Sequence, residues 1–248
     1  MTLFASNCFA LGLPVHGVGL IRQEFVVANH IGIHPNAVLH PELLSSQDQE
    51  IMNERAKNDE SPKTFFIRRL SEGVGSIAAA FYPRPVIVRL GDFKSNEYRR
   101  LIGGQNFEPE EENPMLGLRG ASRYLSSDFK DAFELECEAL AYVRNKMGLT
   151  NVELMVPFCR TPEEGKKVIQ ILKENGLEKG KDGLKIWVMC ELPSNMYVSF
   201  RAYGCMITPM VILIFLTICT CHSFAIDEFA QVFDGFSVSF NSPMIVAV

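Results

Sequence analysis

The sequence has no run of lysine and arginine and no basic patch interleaved with aromatic residues. With 24 Lys and Arg against 29 Asp and Glu its formal net charge is -5. That speaks against a nucleic-acid surface, which is normally marked by a basic stripe. A metal pattern is missing too. Of the seven cysteines, Cys8, Cys137, Cys159 and Cys190 stand far apart, and Cys219 and Cys221 are separated by one residue inside an oily stretch, poor spacing for zinc. They read as reduced, intracellular thiols rather than a disulfide framework. Met1 to Leu13 is mildly apolar but lacks a basic n-region and a clear cleavage site, so no signal peptide is expected.

What is present suits one α/β barrel or two small domains. The chain has 248 residues, 47% of them hydrophobic and 21% charged, enough for a sizeable core and its cover. A helix is expected from about Phe25 to Ile33, closed by Gly32 with Pro35 beyond. Ser45 to Pro62 reads as a helix with a solvated face. Lys63 to Phe81 is amphipathic through Phe65, Phe66, Leu70, Val74, Ile77 and Ala78. Asp128 to Met147 repeats that spacing through Phe129, Ala132, Phe133, Leu135, Cys137, Leu140 and Val143. Thr161 and Pro162 start another helix that Gly176 stops near Asn175. Between these lie apolar strands at Val86–Leu90, Asn151–Phe158, Leu184–Leu192 and Gly235–Phe240. Strands alternating with amphipathic helices imply a parallel sheet covered on its faces. Polar residues placed just after the strands favour a barrel with its working face at the strand C-termini.

The chemistry-bearing signal is an ordered set of three arginines and one acid. They occur in Gly19-Leu20-Ile21-Arg22-Gln23-Glu24-Phe25, Val86-Ile87-Val88-Arg89-Leu90, Gly117-Leu118-Arg119-Gly120 and Cys190-Glu191-Leu192-Pro193-Ser194-Asn195. Each stands where an apolar run meets polar loop residues. Three guanidiniums and a carboxylate delivered this way suit a small, highly charged anion and a divalent cation, because the planar arginine fork makes paired, charge-assisted bonds to phosphate.

At these motifs the chain resembles phosphoenolpyruvate synthase (pyruvate, water dikinase), specifically its C-terminal barrel that binds pyruvate and phosphoenolpyruvate. The likeness runs through Gly17 to Phe25, Val88 to Leu90 with Asp92 to Tyr98, Glu111 to Gly120, Gly148 to Phe158 and Met189 to Asn195. Asp227 to Phe229 and Phe233 to Ser237 complete it. The resemblance implies an incomplete TIM-type (β/α)8 barrel, about six of eight strands, over residues 1–248. It also implies a reaction in which a mobile histidine takes phosphoryl from ATP and passes it to barrel-bound pyruvate. Carried onto this chain, Arg22, Arg89 and Arg119 would hold carboxylate and phosphoryl oxygens. Glu191 would bind Mg2+, and Asn241 would stand at the family's Ser-Asn-Asp strand end. Phosphoryl transfer needs positioning and neutralisation of spreading negative charge, which arginines and Mg2+ provide.

The departures from the family pattern carry expectations of their own. Ser242 replaces the family's second metal carboxylate, which should weaken Mg2+. The chain ends at Val248, before the last two barrel strands and the family's acid cysteine in its Gly-x-Cys-Gly turn, so no catalytic residue is assigned. ATP would act only through domains outside these residues, and the chain alone is expected to be inactive. From Ala202 to Ile226 there is no Asp, Glu, Lys or Arg. Residues 196–223 read as an atypical apolar insertion in a cytoplasmic protein. The alternatives are a membrane-tethered binding protein anchored through 206–226 and a non-catalytic interaction protein derived from the same barrel. A homodimer is compatible with the resemblance.

Other polar groups read blandly. Asp92, Lys94 and Asn96 form either a solvated loop or a supporting layer around the site. Cys190 is core rather than reactive. His16, His30, His34 and His40 lack an acidic partner at obvious spacing, and Glu108 with Glu110 to Glu112 reads as a solvated turn.

Overall fold

A computed structural model of the protein describes residues 15–113, 117–192, 194–197, 224–240 and 242–245. Its centre is one sheet whose spatial order follows the chain: β1 (Val18–Arg22), β2 (Val86–Arg89), β3 (Val152–Val156), β4 (Ile186–Cys190), β5 (Gly235–Phe240) and β6 (Ser242–Ile245). The first five are parallel, each paired with the next, and form a half-barrel with helices on its outer face. This is the incomplete TIM-type arrangement expected of the sequence. β2 and β3 are buried at every residue, as two-sided burial of a parallel sheet requires.

β6 departs from the all-parallel expectation. It runs antiparallel to β5, with Val238 opposite Ile245. One residue separates the two strands, whereas a parallel neighbour needs a crossover of roughly a dozen or more.

The long helices form for local reasons that are legible in the chain. Ser61 Oγ accepts from the Thr64 N–H (3.1 Å), and Pro62 opens helix Pro62–Phe81. Thr161 Oγ1 accepts from the Glu164 N–H (3.2 Å) ahead of Pro162 in helix Pro162–Glu174. Each cap satisfies an amide that the helix itself leaves without a partner. Helix Pro62–Phe81 lays Phe65, Leu70, Val74 and Phe81 into the core and packs on helix Lys130–Asn145. There Ser71 Oγ donates to the Ala139 carbonyl at 3.0 Å.

The expected helix over 25–33 begins at Glu24. Only Glu24–Val26 is α-helical, and the turn widens to a π-helix over Val27–Ile31 before Gly32 takes φ +68°. Cys137, Cys159 and Cys190 are free thiols. No helix among the described residues is long and apolar enough to cross a membrane. Residues 206–223 of the span considered above, and Asn241, lie outside the described residues.

Candidate functional site

Because the five strands are parallel, their C-terminal ends share one rim. Arg22 is the last residue of β1, Arg89 the last of β2, and Phe158 lies two residues past β3. Glu191 follows directly on β4. Arg22 and Arg89 are register partners, so two of the three arginines stand side by side on adjacent strands.

Arg89 is buried and held by two carboxylates. Its Nη2 donates to Glu24 Oε1 at 2.9 Å, and its Nη1 lies 2.8 Å from Asp92 Oδ2. Burial works against the guanidinium charge, yet Glu24 and Asp92 outweigh it and keep the Arg89 pKa above its ordinary value. Glu24 Oε1 also accepts from the Asp92 N–H at 2.8 Å, which turns the chain after β2 back over the end of β1. Asp92, whose side chain is fully buried, then receives Arg119 as a fork, Nε at 2.7 Å and Nη2 at 2.9 Å. One carboxylate therefore gathers two arginines, with the geometry that makes such pairs strong. Arg89 Nε and Glu24 Oε2 are buried without a partner among the described residues.

Arg119 reaches this position through Gly120, at φ +59° and ψ -135°. A Cβ there would lie 2.5 Å from the Pro157 carbonyl oxygen and 2.6 Å from Phe158 Cβ. The loop after β3 is thus pressed against the Arg119 loop. The Phe158 ring lies under the Arg119 guanidinium, 4.0 Å from its central carbon, a cation–π contact. Arg160 Nη1 ties the same loops together, donating to Ser122 Oγ (2.7 Å) and to the carbonyls of Phe158 (3.2 Å) and Arg119 (3.3 Å).

Glu191 faces this group. Its Oε1 accepts from the Phe158 N–H at 2.8 Å. Burial pushes its pKa up, that hydrogen bond opposes the rise, and the charges of Asp92, Arg89 and Arg119 all act on it. Asn195 fixes the turn that follows. Its Oδ1 accepts from the N–H groups of Glu191 (3.2 Å) and Leu192 (2.9 Å), while its Nδ2 donates to the Cys159 carbonyl (2.7 Å). Neighbouring Cys190 has its thiol pKa raised by burial, so it is not an activated nucleophile.

The rim thus brings Arg89, Arg119 and Glu191 around Asp92, with Arg22 beside Arg89. Arg22 is exposed and has no ion-pair or hydrogen-bond partner among the described residues. Asp92, read from the sequence as either a solvated loop residue or a support of the site, is buried and organises it; sequence reasoning assigned no role to Phe158, Arg160 or Asn195. Two bland readings are corrected. Glu108 is not in a solvated turn, and His34 does have an acidic partner. Glu108 is buried, its Oε1 lying 2.5 Å from Arg123 Nη1 and 3.2 Å from His34 Nε2. His34 Nδ1 accepts from the Asn36 N–H at 3.1 Å, so Nε2 carries the proton given to Glu108. Arg123 in turn donates to the Leu118 carbonyl (3.1 Å from Nε), steadying the residue before Arg119. The acidic partner is 74 residues away from His34, beyond any local pattern.

Fold and rim define a β/α half-barrel domain whose strand ends present arginines and one acid around a buried aspartate. A family model described as the PEP-binding domain of PEP-utilising enzymes matches residues 6–201, more than half of the chain. The chain is similar to the phosphoenolpyruvate synthase of Helicobacter pylori, 49% identical over 231 residues that cover 92% of this chain and 25% of that protein. Its likeness to the enzyme of Escherichia coli is 47% over 229 residues, 92% of this chain and 26% of that protein. A probable phosphoenolpyruvate synthase of Staphylothermus marinus is 38% identical, with 92% and 22% covered. The chain belongs to the PEP-utilising enzymes, through their PEP-binding domain. It spans about a quarter of the length of the curated relatives it matches.

Proposed function

We propose that this domain binds pyruvate or phosphoenolpyruvate at the rim, with Mg2+ at Glu191. One observation carries the reading: Arg89 and Arg119 converge on Asp92 within electrostatic reach of Glu191, while Arg22, in register with Arg89, keeps its donors free of protein partners among the described residues. In this reading Arg22 and Arg119 contact the anion and Asp92 holds Arg89 and Arg119 at fixed orientation. The buried Arg89 Nε, without a protein partner, offers a further donor. Asn241 is kept as a further substrate contact from the resemblance.

Glu191 fits a Mg2+ ligand as far as one carboxylate can. Its burial disfavours the free anion, and a cation would relieve that cost. Mg2+ usually takes one or two protein carboxylates and completes its shell with substrate oxygens and water. Among the described residues no cluster of three or more His, Cys, Asp or Glu side chains surrounds the position, so substrate oxygens would supply much of the coordination. When bound, the metal would neutralise charge on the transferring phosphoryl group and the enolate oxygen. The arginines do the rest, fixing the carboxylate and spreading its charge.

In the longer relatives this site would serve conversion of ATP, pyruvate and water to AMP, phosphoenolpyruvate and phosphate. The 248-residue chain is proposed to bind without turning over, in the cytoplasm, with a homodimer as its expected assembly. Residues 196–223 are proposed to be an insertion that interrupts the barrel. Calorimetric titration with oxalate, a planar dianion resembling the pyruvate enolate, tests the reading. Binding that requires Mg2+ and weakens in Arg119→Ala supports it. A folded chain that binds neither oxalate nor phosphoenolpyruvate with Mg2+ present sinks it. Release of AMP and phosphate from ATP and pyruvate by the chain alone would refute the binding-only part.

A further inference from the structure

We propose that Phe158 is a positioning residue that sets the anion-binding arginine and the cation-binding carboxylate together. The inference deepens the reading of the rim as a phosphoenolpyruvate site and rests on it.

Three observations meet at this residue. Its ring supports the Arg119 guanidinium face-on at 4.0 Å, while the Asp92 fork fixes that guanidinium from its edge. Between ring and carboxylate the group is held on its face and along one edge. The Phe158 backbone N–H meanwhile donates to Glu191 Oε1 at 2.8 Å, which occupies one carboxylate oxygen and fixes the side chain beside the loop. Finally, Phe158 has φ +46°, a conformation a bulky residue rarely adopts. Such a backbone persists only where its surroundings enforce it.

Those constraints come from both sides of the loop. Gly120 leaves no room for a Cβ against the Pro157 carbonyl and Phe158 Cβ. The Ala121 N–H donates to the Pro157 carbonyl at 3.2 Å, and Arg160 holds the Phe158 carbonyl. On the other side Asn195 ties the Cys159 carbonyl to the Glu191 turn. A loop clamped from both sides, with its central residue in a left-handed turn, points ring and amide in two directions at once. The ring serves the anion and the amide serves the cation. A half-buried aromatic placed merely to fill space would need neither the turn nor the stacked guanidinium.

The test is titration of the full chain with oxalate at saturating Mg2+, comparing Phe158→Leu, Phe158→Tyr and the unsubstituted protein. Urea midpoints are measured on each. Phe158→Leu is expected to weaken binding about three- to tenfold, the scale of a cation–π contact, while Phe158→Tyr restores it. Arg119→Lys should cost less affinity in the Phe158→Leu background than alone, because the two substitutions remove one shared interaction. If Phe158→Leu does not fold, Phe158→Gly replaces it, since glycine accepts the positive φ; the same weakening is expected. Unchanged affinity in the ring-less variant, or additivity with Arg119→Lys, overturns the inference alone. So does failure of both ring-less variants to fold, which would make Phe158 a scaffold residue. No Mg2+-dependent binding by the unsubstituted chain overturns it together with the reading on which it rests.

Discussion

Arg22 and Arg89 are register partners at the ends of adjacent parallel strands, and the protein treats their charges in opposite ways. Arg89 is buried between Glu24 and Asp92. Arg22 is exposed and unpaired among the described residues. Truncating Arg89 would leave two buried carboxylates facing each other, and losing one partner of a buried pair costs about 3–5 kcal/mol. Truncating Arg22 leaves no buried charge behind. Urea unfolding should therefore show Arg89→Ala destabilised by about that amount and Arg22→Ala within about 0.5 kcal/mol of the parent. Oxalate titration should show the reverse emphasis, with Arg22→Ala weakened about tenfold or more, the scale of a charge-assisted hydrogen bond. Equal stability losses in the two variants would contradict the assignment of Arg89 as the structurally committed partner.

Gly120 sets how closely the Arg119 loop approaches the loop after β3. Its backbone angles, φ +59° and ψ -135°, belong to a region that essentially only glycine occupies. A methyl group there would meet the Pro157 carbonyl oxygen at 2.5 Å. Gly120→Ala should cost at least about 1–3 kcal/mol and should displace Arg119 from the Phe158 ring. The check is paired: a lowered urea midpoint and a weakened oxalate affinity in the same variant. Full retention of both would mean the loops can separate without consequence.

The elements with strong periodic or capping signals were legible in the chain. The apolar spacing from Phe65 to Ala78 and from Phe129 to Val143 predicted two helices, and each of those residues is buried. Thr161, Pro162 and Gly176 marked both ends of a third, and β5 spans Gly235–Phe240 as read. Arg89 was legible as a rim residue because strand ends in a parallel sheet must share one side, whereas Arg119 follows no strand and is held at the rim by its fork with Asp92. What stayed hidden was pairing over long separations. Glu136 and Arg144 sit within an apolar helical pattern yet are buried, and nothing local says that Glu136 faces Gln23, 113 residues away. The π-helical turn at Val27–Ile31 and the reversal into β6 are likewise set by packing and connection length rather than by propensity.

Glu136 gives the stability of the domain a pH dependence of definite sign. It lies behind the rim, accepting from Gln23 Nε2 (2.5 Å) and from the Gly91 N–H (2.9 Å) beside a cavity with room for about one water. Burial pushes its pKa up from 4.5 to about 7; the two hydrogen bonds oppose the rise and the Glu24 charge adds to it. The folded state therefore holds this proton more tightly than the unfolded chain. The contribution is fully present below pH 4.5 and is lost as pH rises through about 7, amounting to about 3 kcal/mol in all. Glu136→Gln cannot ionise, so its stability relative to the parent should rise across that interval and level off above it. Parallel stability profiles for the two proteins would show that Glu136 does not titrate there.

Glu108 works in the opposite direction. It sits between His34 and Arg123, two groups that are buried with it. Burial alone would raise its pKa, but the bonds from His34 and Arg123 prevail and hold it below the usual 4.5. The support it gives is present at neutral pH and is lost as pH falls from 4.5 through its folded value. Glu108→Gln should thus destabilise the protein by about 3–5 kcal/mol near pH 7, because Arg123 keeps its charge with no carboxylate opposite, and the gap from the parent should narrow in acid. Removing both charges is a different perturbation. In Glu108→Leu with Arg123→Met neither ion of this pair remains, and such apolar replacement of a buried pair is often close to neutral. The double variant should therefore recover much of the stability lost in Glu108→Gln, while its oxalate affinity falls below the parent's because Leu118, the residue before Arg119, has lost the Arg123 side chain that holds its carbonyl. If the double variant is no more stable than Glu108→Gln, the cost lies in packing around Tyr98 and Phe129, whose rings flank the Arg123 guanidinium at 4.9 and 5.1 Å, and not in the uncompensated charge.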